Sequence, residues 1–348
     1  MKILKNAGKS KILATWPSEE TNTCAQMAME KAGRVCYQSE RHPITAESAK
    51  KFVGNVHNRT HYSVLEHGWR GYVIDNTSTK PINFYRHFWP ITKYLYITER
   101  PGQILISANL ETWRKAHRHN LLADKIFDGI RHDLGAFCPA IFPGVVFDNP
   151  TDYFFQANPI SIEDLHTKEE QLNHIAHTTL YDDCSRGLTH EGVRHRPPVF
   201  SQESTRYVDE SDFCVVVPPH RDEHEIIKTE GDSPVALSPE AFLRFNEAFY
   251  QALRKAGWKP EDARQILPTA IKSQIAMSCN LLERRYIYYR RTSEFAHWEI
   301  RKVMCDELRR FQALYPNLFD MFEYVDELAK DNVRGFCRVT EEARFFCD

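Results

Sequence analysis

Apolar residues recur at helical spacing through the C-terminal third of the chain. In "SPEAFLRFNEAFYQALRKAG", Phe242, Phe245, Phe249 and Leu253 follow that period, with Ser238 as N-cap, Pro239 at the first helical position and Gly257 as terminator. In "SEFAHWEIRKVMCDELRRFQALYP", Phe295, Trp298, Val303, Leu308 and Phe311 share roughly one face of a second helix. The intervening "EDARQILPTAIKSQIAMSCNLLERRYIYYRR" reads as one more helical region, with Pro268 near its start. Earlier, "HIAHTTLYDD" alternates and suits a strand, and a second strand is expected from Trp69 to Ile74. "SRGLTHEGVRHR" suits a short helix that Pro197 and Pro198 must end, because proline lacks the amide and disfavours helix in its predecessor.

Two helices are expected near the N-terminus. "SEETNTCAQMAMEKAGR" starts on a polar cap and ends near Gly33, and "TAESAKKFVGNVH" places Thr45 at an N-cap. From about 76 to 167 the text changes to prolines, aromatics and basic residues, with one helix expected at "SANLETWRKAHRHNLLADKIFDGI". Strands early and long helices late predict an α+β fold.

Composition narrows the function. The 348 residues are 42% hydrophobic and 26% charged, with a net charge of −2, so no whole-protein basic field recruits nucleic acid or an anionic membrane. Nine cysteines without a C-x-x-C pair predict reduced thiols in the cytoplasm. The N-terminal residues carry no apolar run of a signal peptide, and no stretch approaches the ~20 apolar residues of a membrane span.

The densest chemistry lies in "RHRPPVFSQESTRY". Arg194 and Arg196 are planar donors suited to phosphate or carboxylate, and His195 titrates near neutrality. Ser201, Ser204 and Thr205 add hydroxyls, and Arg206 a further guanidinium. An anion site for a nucleotide phosphate and a solvated basic loop both satisfy that composition. "HYSVLEH" groups His61, Ser63, Glu66 and His67 at a spacing that is not a zinc-peptidase motif. Polar contacts to a ligand or a hydrogen-bonded loop are the readings there, and no metal site is assigned. His174, His177, His220 and His224 are read as structural or solvent-facing. Arg284 and Arg291 lie seven apart on one helix face, where carboxylates such as Glu283 and Glu294 would partner most of the arginine series. The glycine-rich dinucleotide and phosphate-loop signatures are absent.

These residues resemble the flavin-dependent thymidylate synthases, whose signature is R-H-R, seven residues, then S. Here it falls on Arg194-His195-Arg196 and Ser204, followed by Thr205-Arg206-Tyr207. "AGRVCYQSE", "HYSVLEH" and "ARQILP…NLLERRYIYYRRTSEFAHWEIR" resemble further family segments in the family's order. The resemblance covers about 20–75 and 170–320. It implies a single catalytic domain over 1–348, a long member with an insertion at about 76–167, built on a central, mostly antiparallel sheet packed with long helices.

The reaction implied is conversion of dUMP to dTMP with FAD as cofactor and 5,10-methylenetetrahydrofolate and NADPH as co-substrates, in a homotetramer whose subunits share active sites. A related pyrimidine nucleotide (hydroxy)methylating enzyme is the alternative. Carried over by motif, Arg291 is the catalytic arginine that polarises the uracil ring. Glu191, Arg194, Gln202, Glu203, Ser204, Thr205, Arg206 and Arg264 are the dUMP-binding residues. His61, Ser63, Glu66, Arg194, His195, Arg196, Gln202, Asn280 and Tyr286 are the FAD-binding ones. Leu282, Tyr286 and Phe295 depart from the usual family residues.

Overall fold

The computed structural model describes residues 1–17, 22–39, 43–75, 83–89, 91, 94–143 and 157–340. The polar cap expected over 18–21 and parts of the 76–167 segment lie outside them. β1 (Lys2–Lys5) and β2 (Lys9–Trp16) open the chain, followed by α1 (Asn22–Val35) and α2 (Ala46–Asn58). Thr45 caps α2 as expected, its side chain accepting from the Ser48 amide while Ser48 Oγ accepts from the Thr45 amide. A 3-10 turn over Tyr62–His67 leads into β3 (Trp69–Asp75). Next come α3 (Phe84–His87), β4 (Tyr96–Arg100), β5 (Gln103–Asn109), α4 (Leu110–Arg118), α5 (Asp128–Phe137) and β6 (Ala157–Pro159). α6 (Lys168–His174), β7 (Ala176–Ser185), α7 (Arg186–Gly192) and β8 (Val199–Gln202) follow.

The last third holds β9 (Cys214–Val217), a small hairpin of β10 (Ile227–Lys228) and β11 (Ala236–Leu237), α8 (Pro239–Lys255) and α9 (Pro260–Ala263). β12 (Lys272–Asn280), α10 (Leu281–Arg291), α11 (Trp298–Leu314) and a closing hairpin of β13 (Phe322–Leu328) and β14 (Arg334–Val339) complete it.

The fold is α+β. A four-stranded antiparallel sheet in the order β2-β7-β12-β8 forms the centre, and α10 and α11 pack over it around Tyr181, Ile275, Met277, Ile287, Val303 and Phe311. A second antiparallel sheet, β4-β5-β3-β6, joins β3 to strands from the 76–167 segment, with its own core against α1, α4 and α5. Only β1 and β9 pair in parallel among the described residues.

Three expectations change. The region from Glu261 to Arg291 is not one helix, because Lys272–Asn280 is the strand β12 at the centre of the sheet, with Ile275, Ala276, Met277 and Cys279 buried. A strand covered on both faces loses its alternation, so its apolar run imitates a buried helix. The helix expected from Ser107 to Ile130 is the end of β5 plus α4 and α5, divided where Asn109 caps α4 and Asn120 adopts a positive φ of 58°. On α8, Phe242, Phe245 and Phe249 lie outward and exposed, whereas Leu243 and Tyr250 face the core.

Candidate active site

The motif from Arg194 to Tyr207 straddles an edge strand. α7 precedes it, and the Ser185 amide and hydroxyl, at the helix N-cap, donate to the buried Glu299 carboxylate at 2.6 and 2.5 Å. Pro198 is buried just ahead of β8, which among the described residues pairs with β12 alone, so neither proline removes a ladder hydrogen bond. At about 3.4 Å per residue, the four residues of β8 hold the arginine triplet away from Ser204.

At the first end lies a cleft of about 1130 Å³. Glu191, Arg194, His195, Arg196, Tyr286 and Arg291 line it together. Arg291 ends α10 and is half-buried. Its Nη1 donates to Glu191 Oε2 at 2.9 Å, its Nη2 to the Glu191 carbonyl at 2.9 Å, and its Nε to His195 Nε2 at 3.0 Å. That last bond requires an unprotonated Nε2, so His195 is neutral. Burial first, and then Arg291, Arg290 and Arg194, lower its pKa to about 4. Burial also lowers the proton affinity of Arg291, against the pull of Glu191. A guanidinium carries five N–H donors, so Arg291 keeps two for a ligand. Tyr286 stands edge-on to the His195 ring at 6.0 Å.

At the other end of β8 is a smaller pocket of about 400 Å³, and it brings together His61, Ser63, Gln202 and Ser204 with Cys36, Tyr37 and Tyr207. The Ser204 amide donates to the Cys36 carbonyl at 3.1 Å, Gln202 Nε2 donates to Thr189 Oγ1 at 2.6 Å, and the Tyr37 and Tyr207 rings sit 5.2 Å apart. Glu203 is buried beneath this loop. It accepts from the Gln274 amide at 3.0 Å and from Gln38, and burial raises its carboxyl pKa. Thr205 is buried, while Arg206 and Arg264 both reach Glu261, Arg206 to its carboxylate at 3.7 Å and Arg264 Nε to its carbonyl at 3.1 Å.

Six expected ligands line neither cavity: Glu203, Thr205, Arg206 and Arg264, placed above, and Asn280 and Glu66. Asn280 is fully buried, its Oδ1 capping α10 at the Glu283 amide and its Nδ2 donating to the Asn173 carbonyl at 3.0 Å. Glu66 lines neither cavity and has a carboxyl pKa raised by burial. The arginine pairing also differs from expectation. Arg284 is fully buried and pairs with Glu307 at 2.7 Å, and Arg291 pairs with Glu191, so neither uses Glu283 or Glu294. His174 and His177 are buried and structural: His174 ends α6 between Ser107 and Thr98, and His177 lies in β7 between Thr15 and Tyr315. His67 is buried likewise, held between Ser278 at 2.7 Å and Ser201 at 2.8 Å, and ties the 3-10 turn to β12 and β8.

Sequence reasoning missed Arg290, His297 and the β14 residues Phe336, Cys337 and Arg338, all of which line the larger cleft. Arg290 had a signal, being adjacent to Arg291. The hairpin had none, since only its packing brings it there. Among the described residues no group of three or more histidines, cysteines or carboxylates is placed to hold a metal ion, and no helix is long and apolar enough to cross a membrane.

A guanidinium fixed by a carboxylate and a neutral imidazole, in a cleft lined by four further arginines, is chemically suited to an anionic ligand. A family model described as thymidylate synthase complementing protein matches residues 164–317. The flavin-dependent thymidylate synthase of Nitratidesulfovibrio vulgaris is 32% identical over 176 residues, covering 51% of this chain and 69% of that one. That of Mycobacterium avium is 33% identical over 159 residues, 44% of this chain and 64% of the relative. The chain belongs to the flavin-dependent thymidylate synthase family.

Among solved structures, the UMP/dUMP methylase PolB of Streptomyces cacaoi bound with 5-Br dUMP aligns over 43% of this chain and 70% of that one, at 21% identity and a TM-score of 0.35. ThyX of Helicobacter pylori, complexed with FAD and dUMP, aligns over 43% and 73%, at 18% identity and a TM-score of 0.33.

Proposed function

We propose that the protein is a cytoplasmic homotetramer that reductively methylates dUMP to dTMP, with 5,10-methylenetetrahydrofolate as carbon donor and NADPH as reductant through FAD. The observation that carries this reading is the Arg291 guanidinium, fixed by Glu191 and neutral His195 with two donors to spare. Directed at the O4/N3 edge of a uracil ring, those donors stabilise the negative charge that develops there and make C5 a better nucleophile. Serine hydroxyls are weak nucleophiles without an adjacent base. The Ser204 hydroxyl accepts from the Arg206 amide at 3.3 Å, which suits substrate binding.

The larger cleft fits FAD. Arg194, Arg196 and Arg290 line it and make no ion pair or side-chain hydrogen bond among the described residues, so an anionic cofactor finds cations without breaking pairs. When bound, FAD supplies the hydride-carrying step. Arg194, His195, Arg196 and Tyr286 would hold it, while His61, Ser63, Gln202 and Ser204 meet in the other pocket. This separation agrees with active sites completed between subunits, where the two pockets of different copies face each other.

The test is spectroscopic. The purified protein, reconstituted with FAD if necessary, is expected to show a flavin spectrum that dUMP perturbs and to oxidise NADPH faster when dUMP is present. A protein that takes up no flavin overturns the reading. Tyr286 and Phe295, which line the cleft in place of the usual residues, favour the (hydroxy)methylating alternative. A product from dUMP and labelled folate whose mass differs from dTMP would establish it.

A further inference from the structure

We propose that the closing hairpin β13–β14 is a built wall of the larger cleft, and that Arg338 on it forms, with Arg194 and Arg290, a subsite for the diphosphate of a dinucleotide. The inference rests on the functional reading above and extends it to residues beyond the 164–317 match.

The hairpin is fixed in place. Arg301, buried in α11, donates through Nε to the Gly335 carbonyl at 3.0 Å and pairs with Asp331 at 2.6 Å. The Cys337 amide donates to the carbonyl of Thr292 at 2.8 Å, one residue past Arg291, and Phe336 is buried. β14 is thereby tied to the end of α10 that carries the catalytic arginine, and the neighbouring Arg338 is presented to the cleft from a rigid strand.

The charge pattern selects the ligand. Among the described residues Arg338 makes one ion pair, with Glu327 at 2.6 Å, both side chains being more than half exposed, and its guanidinium lies 5.3 Å from the Phe336 ring. Such an exposed pair contributes little, so an anion can take the guanidinium at little cost. Arg194 and Arg290 make no ion pair at all among the described residues. Three guanidinia from three separate segments around one cleft call for more than one negative charge. A single carboxylate satisfies one of them, whereas a diphosphate offers two charges and several acceptor oxygens. Their field is already felt at His195, whose proton affinity Arg194 and Arg290 both lower. The two dinucleotides of the proposed reaction, FAD and NADPH, share this chemistry.

The experiment uses the full chain with Arg338→Ala and, separately, Glu327→Gln. FAD, riboflavin and NADPH are each titrated by fluorescence at low and at moderate salt. Arg338→Ala is expected to weaken one dinucleotide about five- to twentyfold, with the loss shrinking as salt rises. Weaker FAD with unchanged riboflavin assigns the subsite to the cofactor. Weaker NADPH with unchanged FAD assigns it to the reductant. Glu327→Gln, which frees Arg338 without removing it, is expected to bind as tightly as the parent or more so. The inference is overturned if both dinucleotides bind Arg338→Ala unchanged, or if Glu327→Gln reproduces the loss, which would make the pair structural. A parent protein that binds neither dinucleotide removes the functional reading, and the subsite with it.

Discussion

Arg284 and Arg291 lie two turns apart on α10 and do opposite work. At the buried end, Arg284 is wholly inaccessible, and its Nη1 donates to Glu307 at 2.7 Å and to the Tyr181 hydroxyl at 3.3 Å. Tyr181 in turn donates to the other Glu307 oxygen at 2.7 Å. The network fastens α10 to α11 and to β7 and closes on itself. At the cleft end, Arg291 is held by Glu191 and His195 but keeps two donors unspent. The helix orients both arginines toward the same side, and depth decides the rest. A cation sealed in the core must find its counter-charge within the protein, and one at a cleft can be left partly for a ligand.

The largest test of that contrast is Glu307→Ala, which leaves Arg284 charged, buried and without its carboxylate. Removing one partner of a buried pair costs roughly 3–5 kcal/mol, so urea denaturation should show a loss of that order or a failure to fold. A loss below about 1 kcal/mol would mean that the pair is not what fastens the two helices. Arg291→Ala is expected to do the reverse. It should hold flavin and unfold at nearly the parent's urea midpoint, while dUMP-dependent turnover falls about 100-fold or more, the scale of losing a donor to developing charge. Unchanged turnover would take Arg291 out of the mechanism.

The most gradual effect, spread over the pH scale, compares a core histidine with a cleft one. His67 and His195 both have pKa values lowered to about 4, chiefly by burial, against about 6.5 in an unfolded chain. Between those values the unfolded chain binds more protons. Each histidine therefore contributes stability that is complete above pH 6.5 and is lost toward pH 4, at about 1.4 kcal/mol per pH unit. Carboxyls raised by burial, Glu210 to about 7 among them, slope the other way, so the difference between parent and variant is the quantity to read. His67→Gln and His195→Gln should each flatten the acid limb of stability against pH by about that slope. Parallel profiles for parent and variants would show that neither imidazole is held neutral by the fold.

The two pockets show how far the sequence could be read. Four residues assigned to the cofactor or nucleotide, His61, Ser63, Gln202 and Ser204, converge in the smaller pocket from segments about 140 residues apart in the chain. The signature triplet converges with Glu191, Tyr286 and Arg291 in the larger one. Asn280 went astray because an asparagine before a helix has two uses, and here the α10 cap and the Asn173 carbonyl take up its side chain. The outward phenylalanines of α8 misled for a related reason. Helical period identifies a stripe, but which stripe meets the core depends on the neighbouring elements.

Sequence alone determined the helix starts marked by Thr45 and Ser238, the strands at Trp69 and Ala176, and the α+β class. Each rests on chemistry confined to a few neighbouring positions: a cap, a proline, an alternation or a fixed spacing. Tertiary structure decided that Lys272–Asn280 is the central strand, that Arg284 is sealed while Arg291 is open, and that Arg338 reaches the cleft. Those outcomes depend on what lies across the gap from each residue, and long-range packing, which brings β14 against the end of α10, sets that.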